Sequence, residues 1–340
     1  MTRALPASRV PDPLSAPVLR WGIIGTGWIA ERFVTALQHS TTQQVVAVAS
    51  RGLDRATAFA ERLGIDTAYG SYQEMVDSDR IDVVYVATEH IAHLDCARTA
   101  LLAGKPVLVE KPLAVNASQA RELAALAAER GVFCMEAFWT TALPKFDVIR
   151  QILDSGMLGD IQTVMADNGE DLTGHRRVMD PAQAGGPMLD LGTYVFGFAH
   201  WVLGPQRLVG ASGTDHVSGI NGQVSALLTD DSGRQSLLRT TVLGNTPVSA
   251  FVAGSAATLV LTDPFYRPGS FEVRFTDGEV LRYDEAPGAH EALFWQACEV
   301  ARCVDEGRLE STTRPLADSI ATLEQMDEVR TTLGIRFPGE

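Results

Sequence analysis

The chain has 340 residues, with 28 Lys+Arg against 42 Asp+Glu and a formal net charge of −14 at pH 7. Apolar residues make up 46%, enough to offset the entropy of ordering, so a disordered chain is not expected. The acid surplus argues against nonspecific nucleic-acid binding and against a polybasic hold on anionic membranes, since both need a basic surface.

Four scattered cysteines form no C-x-x-C pair, which suits a reducing compartment better than a disulfide framework. No segment reaches the roughly 18 apolar residues of a membrane span, and the N-terminal segment lacks a signal-type apolar run. The expectation is a cytoplasmic protein. The length predicts two domains, because single cores stop growing near roughly 250–300 residues.

Residues 1–18 carry four prolines and read as a flexible arm. Order begins at Leu19, where LRWGIIG is a short apolar run stopped by glycine, as in a buried strand. A helix follows, with Ile29, Phe33 and Leu37 on one face. Further strands are predicted at QVVAVAS, VVYVAT, VLVE and VFCMEAF, alternating with helices that end at Gly64, Gly104 and Gly131. Buried strands alternating with helices mean a parallel sheet with right-handed crossovers. Residues 141–204 read as mainly helical, with a loop near 166–186. From about Leu208, alternating stretches such as QVSALLTD, ATLVLTD and FEVRFTDG, separated by tight turns, predict an antiparallel meander. Residues 289–333 return to helix.

Four motifs carry chemistry. GTGWIA, from Gly25 through Thr26, Gly27, Trp28 and Ile29 to Ala30, lies between the first strand and the first helix. Gly25 permits the tight turn, Gly27 lets backbone approach a pyrophosphate, and the helix start favours the phosphates. The second strand ends Ala49-Ser50-Arg51, with Arg55 one turn further on. An NAD site usually has an acid there; a hydroxyl and a guanidinium favour NADP over NAD. Glu110-Lys111-Pro112 ends the fourth predicted strand, at the sheet edge where such folds bind ligands. A partly buried Lys111 could exchange protons near neutrality, whereas a surface salt bridge is the plainer reading. In GGPMLDLGTYVFGFAHWVLG, Pro187 suits a first helical turn, and Asp190 and Tyr194, four apart, share a face.

Taken together, GTGWIA, SR, EKP and GGPMLDLGTY resemble the Gfo/Idh/MocA oxidoreductases. The branch is that of dimeric dihydrodiol dehydrogenases and glucose–fructose oxidoreductase-like enzymes. EAFWTTALP, DPFYRP and DEVRTTLGIRFP look like the same branch. The resemblance implies an α/β protein: a Rossmann domain at 19–140, then a substrate domain at 141–340 with an open-faced, mostly antiparallel sheet used for homo-oligomer (dimer or tetramer) contacts. It implies NADP as cofactor and hydride transfer at a CH–OH or C=O carbon of a sugar, polyol or cyclic diol. Lys111 matches the family's catalytic lysine, Asp190 its acidic residue, and Tyr194 the branch's tyrosine. Trp139 and Arg177 match positions near substrate or nicotinamide, and His93 a histidine near the nicotinamide ribose. Thr88, Glu110 and Lys111 complete the expected cofactor contacts.

Departures are Thr88-Glu89-His90, where relatives usually have proline after threonine, and Thr141-Ala142 in place of an arginine and a bulky residue. Two other readings stay open: a noncatalytic NADP-binding sensor, and a sugar oxidoreductase that retains its cofactor. No metal is expected. His90 and His93 have suitable spacing but no supporting ligand cluster, and His290-Glu291 is not H-E-x-x-H because Phe294 follows.

Overall fold

The computed structural model describes residues 3–262, 264–338 and 340; Met1, Thr2, Asp263 (the first residue of DPFYRP) and Gly339 lie outside them. The chain begins with β1 (Arg20–Ile24), α1 (Trp28–Ser40), β2 (Gln44–Ala49), α2 (Leu53–Leu63), β3 (Thr67–Tyr69) and α3 (Tyr72–Val76). It continues with β4 (Val83–Val86), α4 (His93–Leu102), β5 (Val107–Glu110), α5 (Ala117–Arg130) and β6 (Cys134–Ala137). Next come α6 (Pro144–Asp154), β7 (Ile161–Gly169) and α7 (Thr193–Leu203), then β8 (Arg207–Asp215), β9 (Asn221–Thr229) and β10 (Gln235–Thr241). β11 (Ala250–Gly254), β12 (Ala257–Leu261), β13 (Phe271–Phe275), β14 (Val280–Tyr283), α8 (Phe294–Asp305) and α9 (Leu316–Leu333) complete it.

Contacts divide the chain into two compact units. One comprises Pro11–Ala142 with Ala289–Ser319; the other comprises Met1–Val10, Leu143–Gly288 and Ile320–Glu340. The sequence expectation kept 141–340 together, whereas the contacts group Ala289–Ser319 with the parallel sheet. The N-terminal segment, read as an arm, makes defined bonds. Arg302 donates to Asp12 O at 2.9 Å, and Gln43 donates to Pro17 O at 2.7 Å.

The first unit is built on a six-stranded sheet of order β3-β2-β1-β4-β5-β6, parallel throughout. β4, β5 and β6 are buried along their whole length, because helices cover both faces. That is why they read as unbroken apolar runs. The strand order reverses between β1 and β4, and ligands bind such sheets outside the strands' carboxyl ends at that switch point. Gly64 and Gly131 close α2 and α5 in the left-handed conformation, as expected.

An eight-stranded sheet of order β14-β13-β12-β11-β7-β10-β9-β8 organises the second unit. Its pairs are antiparallel except β10 with β7. α7 packs on β7 and β10, and β10 alternates buried with exposed residues, as a sheet covered on one face does. Residues 141–204 are less helical than predicted, because β7 falls inside them. Among the described residues no helix is long and apolar enough to cross a membrane.

Candidate active site

The turn between β1 and α1 is shaped by two glycines with different duties. Gly25 has φ +110°, and a Cβ there would stand 2.5 Å from Ala87 O, so only glycine fits. Gly27 has an ordinary φ of −81° and caps α1, and a Cβ added to it would meet nothing within 4 Å. The open space in front of the helix start is therefore a cradle that a side chain would fill. Thr26 lies between the two glycines; Trp28 and Ile29 open α1 behind the turn, with the Trp28 ring exposed. Ala30 is fully buried, which permits close helix–sheet packing.

At the end of β2, Ser50 is buried while Arg51 and Arg55 are exposed. Both guanidiniums act electrostatically on the Tyr72 hydroxyl, so they share one neighbourhood. These groups fit the phosphates and ribose of a dinucleotide: backbone N–H groups at the helix start, then cations beside a hydroxyl.

The turn after β5 is held by buried ionisable side chains. Glu110 accepts hydrogen bonds from the Tyr85 hydroxyl and from Lys111 N, the latter at 3.2 Å. Burial pushes its carboxyl up to about 7, and the Tyr85 bond and nearby Lys111 oppose that rise. His93, at the start of α4, is fully buried, with Nδ1 2.8 Å from Pro112 O and Nε2 3.2 Å from Thr88 O. Burial lowers the pKa of this ring. A neutral imidazole donates one hydrogen, and the shorter contact is to Pro112. Lys111 itself is half-buried. His90 is a buried residue of the short 3-10 turn His90–Ala92, which leads into α4; the N-cap of α4 is Ala92.

Two aromatic contacts complete this unit. His290 meets Trp28 edge-on, with ring centroids 4.6 Å apart, and lies against Trp139 at 5.8 Å and 25°. The sequence reading weighed His290 only as a metal ligand, and no local signal joined it to GTGWIA. Among the described residues no group of three or more His, Cys, Asp or Glu could hold a metal.

The second unit carries Arg177, Asp190 and Tyr194. Asp190 and Tyr194 do not share one regular α-helix: Met188–Gly192 is a π-helical turn, and α7 begins at Thr193. The Thr193 hydroxyl donates to Leu189 O at 2.9 Å and Asn168 to Leu191 O at 3.2 Å, which satisfies carbonyls of the widened turn. Arg177 pairs with Asp190 at 2.6 Å. Their neighbours Val178 and Leu191 belong to one buried cluster with Ile220 and Val242, so packing sets the ion pair's position. Tyr194 stacks on Tyr266 at 4.0 Å and 16°. Tyr266 belongs to DPFYRP, which the sequence reading noticed without assigning it a role.

The strand order, the two-glycine turn and the cationic end of β2 define a dinucleotide-binding Rossmann unit. Comparisons extend this. Residues 19–138 match the family described as "Oxidoreductase family, NAD-binding Rossmann fold", and residues 146–260 match the GFO/IDH/MocA C-terminal domain. The chain is 37% identical over 328 residues to mouse trans-1,2-dihydrobenzene-1,2-diol dehydrogenase, covering 94% of this chain and 98% of that protein. It is 36% identical to the human protein of the same name, covering 94% and 98%. Among solved structures, a 3-ketoreductase from Actinomadura kijaniata in complex with NADP and TDP-benzene is 28% identical. Its TM-score is 0.81, with 92% and 97% of the two chains covered. Levoglucosan dehydrogenase, solved with NADH and levoglucosan, shares the fold at 18% identity and a TM-score of 0.82, covering 93% and 97%. The chain belongs to the Gfo/Idh/MocA oxidoreductase family. It is an NAD(P)-binding oxidoreductase, an enzyme of the dehydrogenase and ketoreductase kind.

Proposed function

We propose that the chain is an NADP-dependent dehydrogenase of cyclic trans-diols or related sugars and polyols. The observation that carries the cofactor choice is the end of β2, where Ser50, Arg51 and Arg55 stand in place of a ribose-binding acid. The substrate class draws on relatives named for a dihydrobenzene diol and on a ketoreductase crystallised with NADP. The bound nicotinamide supplies the hydride chemistry. Gly25, Thr26, Gly27, Trp28 and Ile29 would hold the pyrophosphate, and Ser50, Arg51 and Arg55 the adenosine phosphate and ribose. Thr88, His93 and Glu110 would shape the edge that receives the nicotinamide.

Lys111 Nζ takes the hydroxyl proton as the carbon loses hydride, and returns it in the reverse direction. Tyr194 bonds the same oxygen and shares the proton. Asp190, held by Arg177, orients the substrate together with Trp139. Positioned proton transfer of this kind is worth roughly 10²–10⁴ in rate. The Actinomadura ketoreductase has been crystallised with NADP as a lysine-to-alanine and as a tyrosine-to-phenylalanine variant, which supports attention to these two residue types. A second copy of the chain on the exposed face of β8, where Val209 is 54% exposed, completes the reading. Light scattering of the purified protein tests that part, and a monomer at micromolar concentration would refute it.

The test of activity follows NADPH absorbance with a panel of dihydrodiols, aldoses, ketoses and inositols, with NAD and NADP side by side. Turnover with NADP that Lys111→Ala reduces roughly 10²-fold or more, with cofactor affinity kept, is the expected result. Equal use of NAD would refute the reading of Ser50 and Arg51.

A further inference from the structure

Behind the Lys111 turn lies a buried ion pair that the chemistry so far leaves unused. Glu136, on β6, accepts a hydrogen bond from Leu113 N at 3.0 Å through one carboxylate oxygen. Its other oxygen accepts from Arg314 Nε at 2.8 Å and from the Ser319 hydroxyl at 2.7 Å, and lies 2.7 Å from an Arg314 terminal nitrogen. Glu136 and Arg314 are each 1% exposed. The Arg314 guanidinium also lies over the Phe138 ring, 4.6 Å from its centroid. The two partners are 178 positions apart in the chain.

The backbone of the turn is thereby gripped at three successive residues. Lys111 N donates to Glu110, Pro112 O faces His93, and Leu113 N donates to Glu136. The first grip comes from the residue just before the turn, and the second from the start of α4. The third is anchored by an arginine from the Ala289–Ser319 segment. A carboxylate fixed by a guanidinium fork and a hydroxyl has little freedom, so it holds the Leu113 amide in one place. A chemical step that depends on the lysine's placement is sensitive to shifts of about 1 Å, which cost roughly 10²-fold in rate.

We propose that Glu136 and Arg314 are positioning residues for Lys111: the buried pair sets where the Lys111-Pro112-Leu113 turn presents the lysine. This rests on the assignment of proton transfer to Lys111. Its signature is a loss of kcat with KM and cofactor affinity retained, passing entirely through Lys111.

The test uses the full-length enzyme and the double variant Glu136→Gln/Arg314→Met, which removes both charges together and leaves neither buried alone. Glu136→Asp is the second variant, since it keeps the charge but draws the carboxylate back by one methylene. We expect both to bind NADPH within about threefold of the parent and to lose about 10- to 100-fold in kcat. Added to Lys111→Ala, the double change should cost no further activity, because residues that act as a unit are not additive. Parent-like kcat in a folded Glu136 variant, with Lys111→Ala inactive, overturns the proposal alone. So does a full extra loss on the Lys111→Ala background. Near-normal turnover of Lys111→Ala overturns the Lys111 assignment and this inference with it.

Discussion

Two glycines separated by one residue make opposite demands on a methyl group. At Gly25 the backbone is left-handed, and an added Cβ would sit 2.5 Å from a carbonyl oxygen. Gly25→Ala should therefore destabilise the parallel-sheet unit by about 1–3 kcal/mol and weaken cofactor binding with it. Gly27 has ordinary backbone angles and free space beyond its Cα. Gly27→Ala should leave the melting temperature unchanged and yet weaken NADPH binding by about tenfold or more, because the methyl occupies the path of the pyrophosphate. Fluorescence titration with NADPH beside a thermal melt separates the two cases. A Gly27→Ala protein that binds normally would show that the dinucleotide does not approach this turn.

At the scale of elements, legibility followed how local the signal was. β1, β2, β4, β5 and β6 were readable because burial on both faces leaves a short apolar run with no alternation. β7 was not, because its last three residues, Asp167, Asn168 and Gly169, look like a loop yet are buried. β8 is exposed along most of its length and offers no period-two pattern, and β3 is only three residues long. The glycine turn and the Ser50-Arg51 corner were legible as adjacent residues. The Tyr194–Tyr266 stack, the His290 contacts and the Glu136–Arg314 pair join distant stretches, so one sequence carries no sign of them. Helix α5 shows a local rule at work: Asn116 accepts from Gln119 N at 2.9 Å and caps the helix that follows the Lys111 turn. Asn116→Ala should cost about 1 kcal/mol, read as a lower urea midpoint of the unit that contains α5. An unchanged midpoint would mean that the capped first turn adds nothing to the unit.

Over the whole molecule, the charge of −14 conceals two buried groups whose titration opposes the usual pattern. Lys145, in the first turn of α6, is 1% exposed, and burial lowers its amine to about 7 against a weaker pull from Glu285. Its folded pKa lies below the unfolded value. Its contribution to stability is therefore present above about 10.5 and is lost as pH falls through about 7. Glu110 runs the other way: its folded pKa of about 7 exceeds the ordinary 4.5, so its contribution is present below 4.5 and lost as pH rises through 7. The two groups belong to different compact units, so each should be read from the transition of its own unit. At neutral pH the chain bears the cost of both. Lys145→Met should stabilise the antiparallel-sheet unit by on the order of 2–4 kcal/mol at pH 6 and by much less at pH 10. Glu110→Gln should instead flatten the decline of the parallel-sheet unit between pH 4.5 and 7. Calorimetric melts across pH 5 to 10 measure both changes. A Lys145→Met gain that is equal at pH 6 and pH 10 would show that packing, and not the buried charge, is what the substitution relieves.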